Sequence, residues 1–338
     1  MPIMTNNTPT VNPLKESSTF IPPSVISNPL LSGESYAYYT PCPNAITPQA
    51  ISPTSHDTIE STPCVLGVDE AGRGPVLGPM VYGAFYLPLD LHHSLLTEKH
   101  SFDDSKVLTP AVRANLMRLL NTPGDTLFES CGYAVKVLSA RDISSGMMRS
   151  PTAVYNLNAQ AMDATVEIIR GVVEDRGVDV REVYIDTIGN PATYQQKLER
   201  IFPSLKITVA KKADSLYPCV SAASVAAKVT RDVALEVMYE AVLRAEQSLR
   251  PTPELGECVG WLRRNMDPVF GWGNECRFSW GTAKEMLEMK GGARVDWPDE
   301  EEEGAPRLDE FLLSSAPGKS TGKVGLRDWY GHRKTEVL

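Results

Sequence analysis

The sequence lacks any long apolar run, any C-x-x-C pair and any basic or apolar leader at its start. No apolar run in the 338 residues reaches about 18 residues, so we expect no membrane-spanning helix. The first residues, MPIMTNNTPTVNP, contain neither an arginine nor a basic stretch followed by an apolar one, so neither a secretory signal nor a mitochondrial presequence is expected. The six cysteines are scattered, which disfavours a disulfide scaffold and a cysteine-based zinc site and favours a reducing compartment.

Taken by itself, the net charge of −9 disfavours a nucleic-acid partner. Most of that charge lies in one segment, because residues 296–310 contain eight acids and one base and so carry −7. The remainder of the chain carries −2 and is nearly neutral. An acidic run of this kind is typical of a solvated linker, so the overall charge excludes no partner for the rest of the protein.

Composition divides the chain into three parts. Residues 1–61 are rich in Pro, Ser, Thr and Asn without apolar periodicity, so we expect a disordered extension. Between 62 and 290, apolar runs of strand length alternate with helical patterns, which predicts an α/β domain with a mixed sheet covered by helices. Residues 291–338 are predicted to form an acidic linker and a tail.

Apolar runs and helix signals place nine elements in the central part. The predicted strands are Cys64–Val68, Met80–Leu87, Cys131–Leu138, Glu182–Ile185 and Ile207–Val209. The predicted helices are Pro110–Leu120, Ala153–Glu174, Pro191–Ile201 and Val220–Leu243.

Acidic residues follow three of the predicted strands. Asp69 and Glu70 come after the first, Asp186 after the fourth and Asp214 after the fifth. Ligands collect beyond strand ends in open α/β sheets, and carboxylates gathered there repel one another unless they are protonated or bridged by cations. Carboxylate oxygens favour hard cations such as Mg²⁺, and four acids could hold two ions for in-line displacement at a phosphodiester. The alternative is that these acids cap helices or lie in solvated turns.

One geometric difficulty concerns the two adjacent acids. A regular strand would point Asp69 and Glu70 to opposite faces, so they converge only if the strand ends or twists there. Gly72 and Gly74, just downstream, permit such a change, and they also allow backbone N–H groups to approach an anion closely. A single Gly-x-Gly is weak evidence by itself, because tight turns use it often.

Seven motifs occur in order along the central part: GVDEAGRGPVLGPMVYGAF, DDSKVLT, CGYAVKVLSA, YNLNAQAMD, VYIDTIGNP, KKADSLYPCVSAASVAAKVTRD and FGWGNECRFSWGTA. Together they closely resemble the type 2 ribonuclease H family (ribonuclease HII), in the form of the catalytic A subunit of the eukaryotic enzyme. The resemblance covers about residues 62–290. It implies a ribonuclease H-like α/β fold with a mixed sheet of about five strands flanked by helices, followed by a helical C-terminal portion.

The resemblance implies an endoribonuclease that hydrolyses RNA in RNA–DNA hybrids and cuts on the 5′ side of ribonucleotides embedded in duplex DNA. By the same resemblance, Asp69, Glu70, Asp186 and Asp214 hold divalent metal, Mg²⁺ or Mn²⁺, and water attacks the phosphodiester to leave 5′-phosphate and 3′-hydroxyl ends. The implied role is ribonucleotide removal in DNA replication and repair, from which we expect a nuclear location.

The resemblance also implies how the substrate is held. It implies that the backbone of Gly72, Arg73 and Gly74 contacts the ribose 2′-OH, the group that distinguishes RNA from DNA. It implies phosphate contacts by three further side chains: Lys106, Arg277 and Thr282. It implies as partners two non-catalytic accessory subunits, B and C, and no membrane.

The chain departs from the family pattern near Arg250. There the family has a short glycine-tyrosine-proline stretch whose tyrosine contacts the nucleotide at the RNA–DNA junction, whereas this chain reads PTPELG over 251–256. We hypothesise either a weakened preference for single embedded ribonucleotides or a coding sequence that lacks a short segment.

Two other functions are consistent with parts of the sequence. One is a catalytically impaired nucleic-acid-binding subunit, which the persistence of all four acids disfavours. The other is a junction-resolving DNA nuclease of the same fold, which the glycine-arginine-glycine loop disfavours because reading a 2′-OH is useless on pure DNA.

Overall fold

The computed structural model describes residues 20–46, 61–102, 108–149, 153–187, 189–246, 258–267 and 269–288. Six strands form one sheet: β1 Tyr36–Tyr39, β2 Cys64–Ala71, β3 Met80–Pro88, β4 Gly132–Leu138, β5 Val180–Asp186 and β6 Lys206–Ala210. Their order across the sheet is β1-β4-β3-β2-β5-β6. The pairs from β1 to β2 are antiparallel, and β2, β5 and β6 run parallel. The sheet is therefore mixed, as predicted.

Helices surround this sheet on both faces. In the described ranges they are α1 Ser27–Ser32, α2 Pro110–Leu119, α3 Thr126–Ser130, α4 Ala140–Met147, α5 Leu157–Arg170, α6 Pro191–Ile201, α7 Pro218–Glu246, α8 Cys258–Arg264 and α9 Gly281–Glu288. Short 3₁₀ turns lie at Leu89–Leu91 and Ala213–Ser215, and wider π-helical turns lie at Ser94–Lys99 and Gly171–Asp175. None of the helices in these ranges is long and apolar enough to cross a membrane.

Helix α7 crosses one face of the sheet at very short range. A Cβ atom built on Gly67 of β2 would lie 2.3 Å from the backbone of Cys219, and one built on Gly83 of β3 would lie 2.4 Å from the carbonyl oxygen of Ala223. The helix face toward the sheet is lined by small buried side chains, among them Ala223 and Ala227. Glycine on the strands and alanine on the helix thus bring the two backbones into contact.

The opposite face of the sheet packs against α5 and α6. Leu66 and Val68 of β2 belong to the apolar core on this face, together with Ile168 of α5 and Leu198 of α6, whereas Val65 belongs to the core under α7. The strand alternates between the two cores because successive side chains of a strand point to opposite faces. Both faces of β2 are therefore buried, which explains its continuous apolar run.

The N-terminal extension is ordered between residues 20 and 46, so the prediction of disorder over 1–61 is wrong for this stretch. β1 pairs with β4, from Tyr36 opposite Val137 to Tyr39 opposite Ala134, and becomes the sixth strand of the sheet. Ser24 is fully buried, and its hydroxyl lies 2.7 Å from that of Thr230 in α7. Composition failed here because a four-residue strand with half-buried side chains is too short to show an apolar period.

Other predictions compare closely with the structure. The helix predicted over Pro191–Ile201 has those bounds, with Asn190 capping its first turn. The helix predicted over Ala153–Glu174 begins at Leu157, because the side chain of Asn156 accepts hydrogen bonds from the next turn and caps the helix there. The acidic linker and tail predicted over 291–338 lie outside the described residues.

Candidate active site

Parallel pairing places two of the candidate acids side by side. In the ladder between β2 and β5, Val68 lies opposite Ile185, so the next residues on the two strands are Asp69 and Asp186. Neighbouring strands are about 4.8 Å apart, so both side chains lie at one edge of the sheet. The turn after β6 comes to the same place, since the backbone N–H of Ala213 donates to Asp186 Oδ1 at 2.9 Å. Asp214, the next residue, is 3% exposed.

Negative charge is crowded at this edge. Burial raises the pKa of Asp69 to about 8, and the charges of Glu70 and Asp186 act in the same direction. The Ser224 side chain on α7 opposes that shift, as does the Glu70 N–H, which donates to Asp69 Oδ1 at 2.7 Å. Burial also raises the pKa of Glu70 to about 7, with Arg73 opposing and Asp186 adding to the rise. A bound cation would offset the repulsion among these carboxylates.

The side chains do not converge on one point. β2 continues as far as Ala71 rather than ending near Val68, so Asp69 faces α7 while Glu70 lines a cavity on the α5 side together with Asp186. Within the described ranges no group of three or more His, Cys, Asp or Glu side chains is close enough to hold a metal ion. The donor set fits a hard divalent cation by its chemistry, because it is oxygen-only and because Asp69, Glu70 and Asp186 repel one another.

An open cavity of about 510 Å³ adjoins the acids between the sheet, α5 and α6. Arg73 extends into it, donates a hydrogen bond to Asn158 Oδ1 and lies near enough to Glu70 to oppose the rise in its pKa. Asn158 was assigned no role from the sequence, although it lies in a quoted motif and in the first turn of α5. The polar residues on the helical side of the cavity are Asn156, Asn158, Asp163, Thr165, Asn190, Thr193, Tyr194 and Lys197.

The turn after β2 requires glycine at Gly72. Its φ is +81°, and a Cβ atom there would lie 2.7 Å from the carbonyl oxygen of Pro79. Gly74 differs, because a Cβ atom on it would meet nothing within 4 Å. The turn is therefore tight at its first glycine and open at its second, so a ligand has access to the backbone at Gly74.

Arg277 lies beneath this turn, and its predicted phosphate contact stays a prediction. Its side chain is fully buried at 0% exposure. The guanidinium donates to the carbonyl oxygens of Gly72, Arg73 and Gly78 at 2.6, 3.0 and 2.9 Å, and it lies 4.7 Å from the centre of the Trp280 ring. Burial lowers the pKa of Arg277 to about 9, which leaves it charged near neutral pH. In this structure the guanidinium therefore holds the turn from the inside and does not face the solvent.

The structure leaves two other predicted phosphate contacts open. Thr282 is the second residue of α9 and is partly exposed, and its substrate contact stays a prediction. Lys106 lies outside the described residues, as does the departure from the family pattern that follows Arg250.

The mixed sheet with acids at neighbouring strand ends places the chain in the ribonuclease H-like class. A family model described as Ribonuclease HII matches residues 66–283. The A subunit of ribonuclease H2 from Neurospora crassa is 57% identical over 94% of this chain and 96% of its own length. The Homo sapiens protein of the same name is 41% identical over 75% of this chain and 83% of its own length.

A solved structure agrees with these relatives. The ribonuclease H2 from Pyrococcus horikoshii OT3 aligns with a TM-score of 0.50 at 25% identity, covering 67% of this chain and 97% of that one. The chain belongs to the ribonuclease HII family, as its motifs predicted.

Proposed function

We propose that the chain is the catalytic subunit of a ribonuclease H2-type enzyme. As a member of the ribonuclease HII family it is a ribonuclease H, a hydrolase that cleaves RNA in RNA–DNA hybrids endonucleolytically. The further proposal is that it also cuts on the 5′ side of ribonucleotides embedded in duplex DNA. The observation that carries the proposal is the set of acids on β2, β5 and the turn after β6, beside a glycine turn with an open backbone. Asp69 and Asp214 are buried, and Asp69, Glu70 and Asp186 repel one another.

The residues that would hold the divalent ions, Mg²⁺ or Mn²⁺, are Asp69, Glu70, Asp186 and Asp214. Their support is the oxygen-only donor set and the raised pKa values of Asp69 and Glu70, which reflect burial first and then the charges of neighbouring acids. When bound, a pair of such ions would stabilise the charge on the attacking and leaving oxygens of the phosphodiester, consistent with 5′-phosphate and 3′-hydroxyl products.

Residues around the acids bind and orient the nucleic acid in this proposal. The backbone of Gly72, Arg73 and Gly74 contacts the ribose 2′-OH. Beneath that turn, Arg231 and Arg277 are two largely buried cations, which attract the phosphate backbone through the local field. Lys106 and Thr282 are proposed to contact phosphates.

The proposed partners are two non-catalytic subunits, B and C. The support is that the names of the curated relatives make each of them the A subunit of a ribonuclease H2. A nuclear location follows from the substrate class and stays a prediction.

Asp69→Asn tests the acid assignment. The amide keeps the size of the side chain but removes one charged ligand, so we expect cleavage to fall by about 10³-fold or more while binding changes by about twofold or less. The assay is cleavage of a DNA duplex that contains one ribonucleotide, in Mg²⁺ and in Mn²⁺, beside an all-DNA duplex. Asp179→Asn is the matched control, because Asp179 lies just before β5, at the opposite end of the strand from Asp186, and should leave turnover unchanged.

Each contrary result of that assay would reject the metal assignment or favour one of the alternative functions. Unchanged turnover in Asp69→Asn would reject the metal assignment. Cleavage of the all-DNA duplex by the wild type would favour a DNA nuclease. Binding without cleavage by the wild type, with its partners present, would favour the catalytically impaired protein.

A further inference from the structure

We call residues 72–74 the recognition turn. The carbonyl groups of all three residues accept hydrogen bonds from one segment near the C-terminal end of the domain, which contains Arg277 and Trp280. Arg277 donates to the oxygens of Gly72 and Arg73 at 2.6 and 3.0 Å, and Trp280 Nε1 donates to the oxygen of Gly74 at 2.8 Å. The donors and acceptors are more than 200 residues apart in sequence, so this contact exists only in the folded protein.

The segment that carries these donors is itself fixed to the chain just after the recognition turn. The N–H of Arg277 donates to Val76 O at 2.9 Å, the N–H of Gly78 donates to Glu275 O at 2.7 Å, and Leu77 forms a β-bridge with Cys276. The two donors therefore approach the turn from a rigid base.

Fixing the carbonyls also orients the N–H groups. In a trans peptide the carbonyl of one residue and the N–H of the next point in opposite directions, and the described chain contains no cis peptide. Holding the oxygens of Gly72 and Arg73 against Arg277 therefore turns the N–H groups of Arg73 and Gly74 away from it. Among the described residues neither N–H has an acceptor, and the space beside Gly74 is open. Two adjacent donors are thus presented to an oxygen of a ligand.

We propose that Arg277 and Trp280 are positioning residues that hold the recognition turn with these two N–H groups facing the ribose of the substrate. The inference rests on the proposed function, in which the turn contacts the 2′-OH. Arginine suits this role because its planar guanidinium offers several donors in a fixed arrangement and so bridges three carbonyl oxygens at once. A lysine ammonium is a single point on a flexible stem.

The test uses substitutions that remove these donors but keep an aromatic ring or a positive charge. Trp280→Phe keeps an aromatic ring beside the guanidinium but loses the hydrogen bond to Gly74, and Arg277→Lys keeps the charge but loses the bridging geometry. Trp272→Phe is the matched control, because Trp272 Nε1 makes an equivalent bond, to Leu262 O at 2.8 Å, away from the turn.

The measured quantity is the ratio of affinities for a DNA duplex with one ribonucleotide and for the same duplex without it, determined without divalent ions to prevent cleavage. We expect this ratio to fall by about fivefold in Trp280→Phe and by about tenfold or more in Arg277→Lys, with all-DNA binding nearly unchanged. Trp272→Phe should keep the wild-type ratio. A loss of folded protein alone would lower both affinities equally and leave the ratio in place.

Three results would overturn the inference. The first is a wild-type ratio in both Trp280→Phe and Arg277→Lys. The second is an equal loss of affinity for both duplexes in Arg277→Lys, together with a slope of log affinity against log salt concentration that is smaller by about one. That result would mark Arg277 as a direct phosphate contact. The third is a wild-type protein that binds both duplexes equally, which would reject the 2′-OH contact itself and so is distinguishable from failure of the positioning role alone.

Discussion

Gly67→Ala should disturb both the stability and the activity of the protein, because a single methyl group there would collide with the backbone of α7. The added Cβ atom would lie 2.3 Å from the carbonyl carbon and oxygen of Cys219, whereas ordinary contact begins at 3.4 Å. The start of α7 must therefore move away from β2 by about 1 Å. No rotation of the new side chain relieves the collision, since a methyl group attached to Cα has no alternative position.

That displacement affects the acids directly. Gly67 is two residues before Asp69, and α7 carries the Ser224 side chain that hydrogen-bonds to Asp69. The turn with Asp214 immediately precedes α7. Moving the helix would therefore separate Asp214 from Asp186. Overpacking of this size costs about 1–3 kcal/mol, and a misplacement of about 1 Å at reacting groups costs up to about 100-fold in rate.

Thermal unfolding and cleavage of the single-ribonucleotide duplex measure the two effects. We expect the Tm to fall by about 2–12 °C and turnover to fall by about 10- to 100-fold. Gly281→Ala is the matched control, because a Cβ atom at Gly281 would meet nothing within 4 Å. A Gly67→Ala variant with the Tm and turnover of the wild type would refute the argument from backbone contact.

Two other predictions concern the charge at the strand ends and the docking of the N-terminal segment. In the metal-free protein the contribution of Asp69 and Glu70 to the free energy of unfolding should fall as pH rises from about 4 to 8, because their raised pKa values make these two groups bind more protons in the folded state than in the unfolded state in this window. Mg²⁺ should then raise the Tm more at pH 8 than at pH 5, and an equal rise of the Tm at the two pH values would contradict the crowding of charge. Asp142→Ala removes the acceptor of the Ser35 hydroxyl and N–H, at 2.6 and 3.0 Å, and should lower the free energy of unfolding by about 1–2 kcal/mol in a denaturant titration. The control Glu174→Ala breaks only an exposed ion pair with Arg170 and should cost less than about 0.5 kcal/mol, so equal losses in the two variants would count against N-terminal docking through Asp142.

Local signals in the sequence identified much of the fold and of the candidate site. The run that became β2 was recognisable because both faces of that strand are buried, and the helix at Pro191 was recognisable from Asn190 and the proline that follows it. The four acids were recognisable because each follows the apolar run of a strand, although β2 itself continues through Asp69 and Glu70 to Ala71. Such features depend on residues a few positions apart.

Tertiary structure alone decided the features that depend on residues far apart in the chain. A run such as YAYY has no apolar period of its own and becomes an edge strand only because β4 offers it a partner about 100 residues later. The RFSW motif marks Arg277 as important, but only the folded chain shows that its guanidinium faces carbonyl oxygens about 200 residues away and not the solvent. The pleat of β2 likewise points Asp69 and Glu70 to opposite faces, which their adjacency in the sequence left open because the strand could have ended before them.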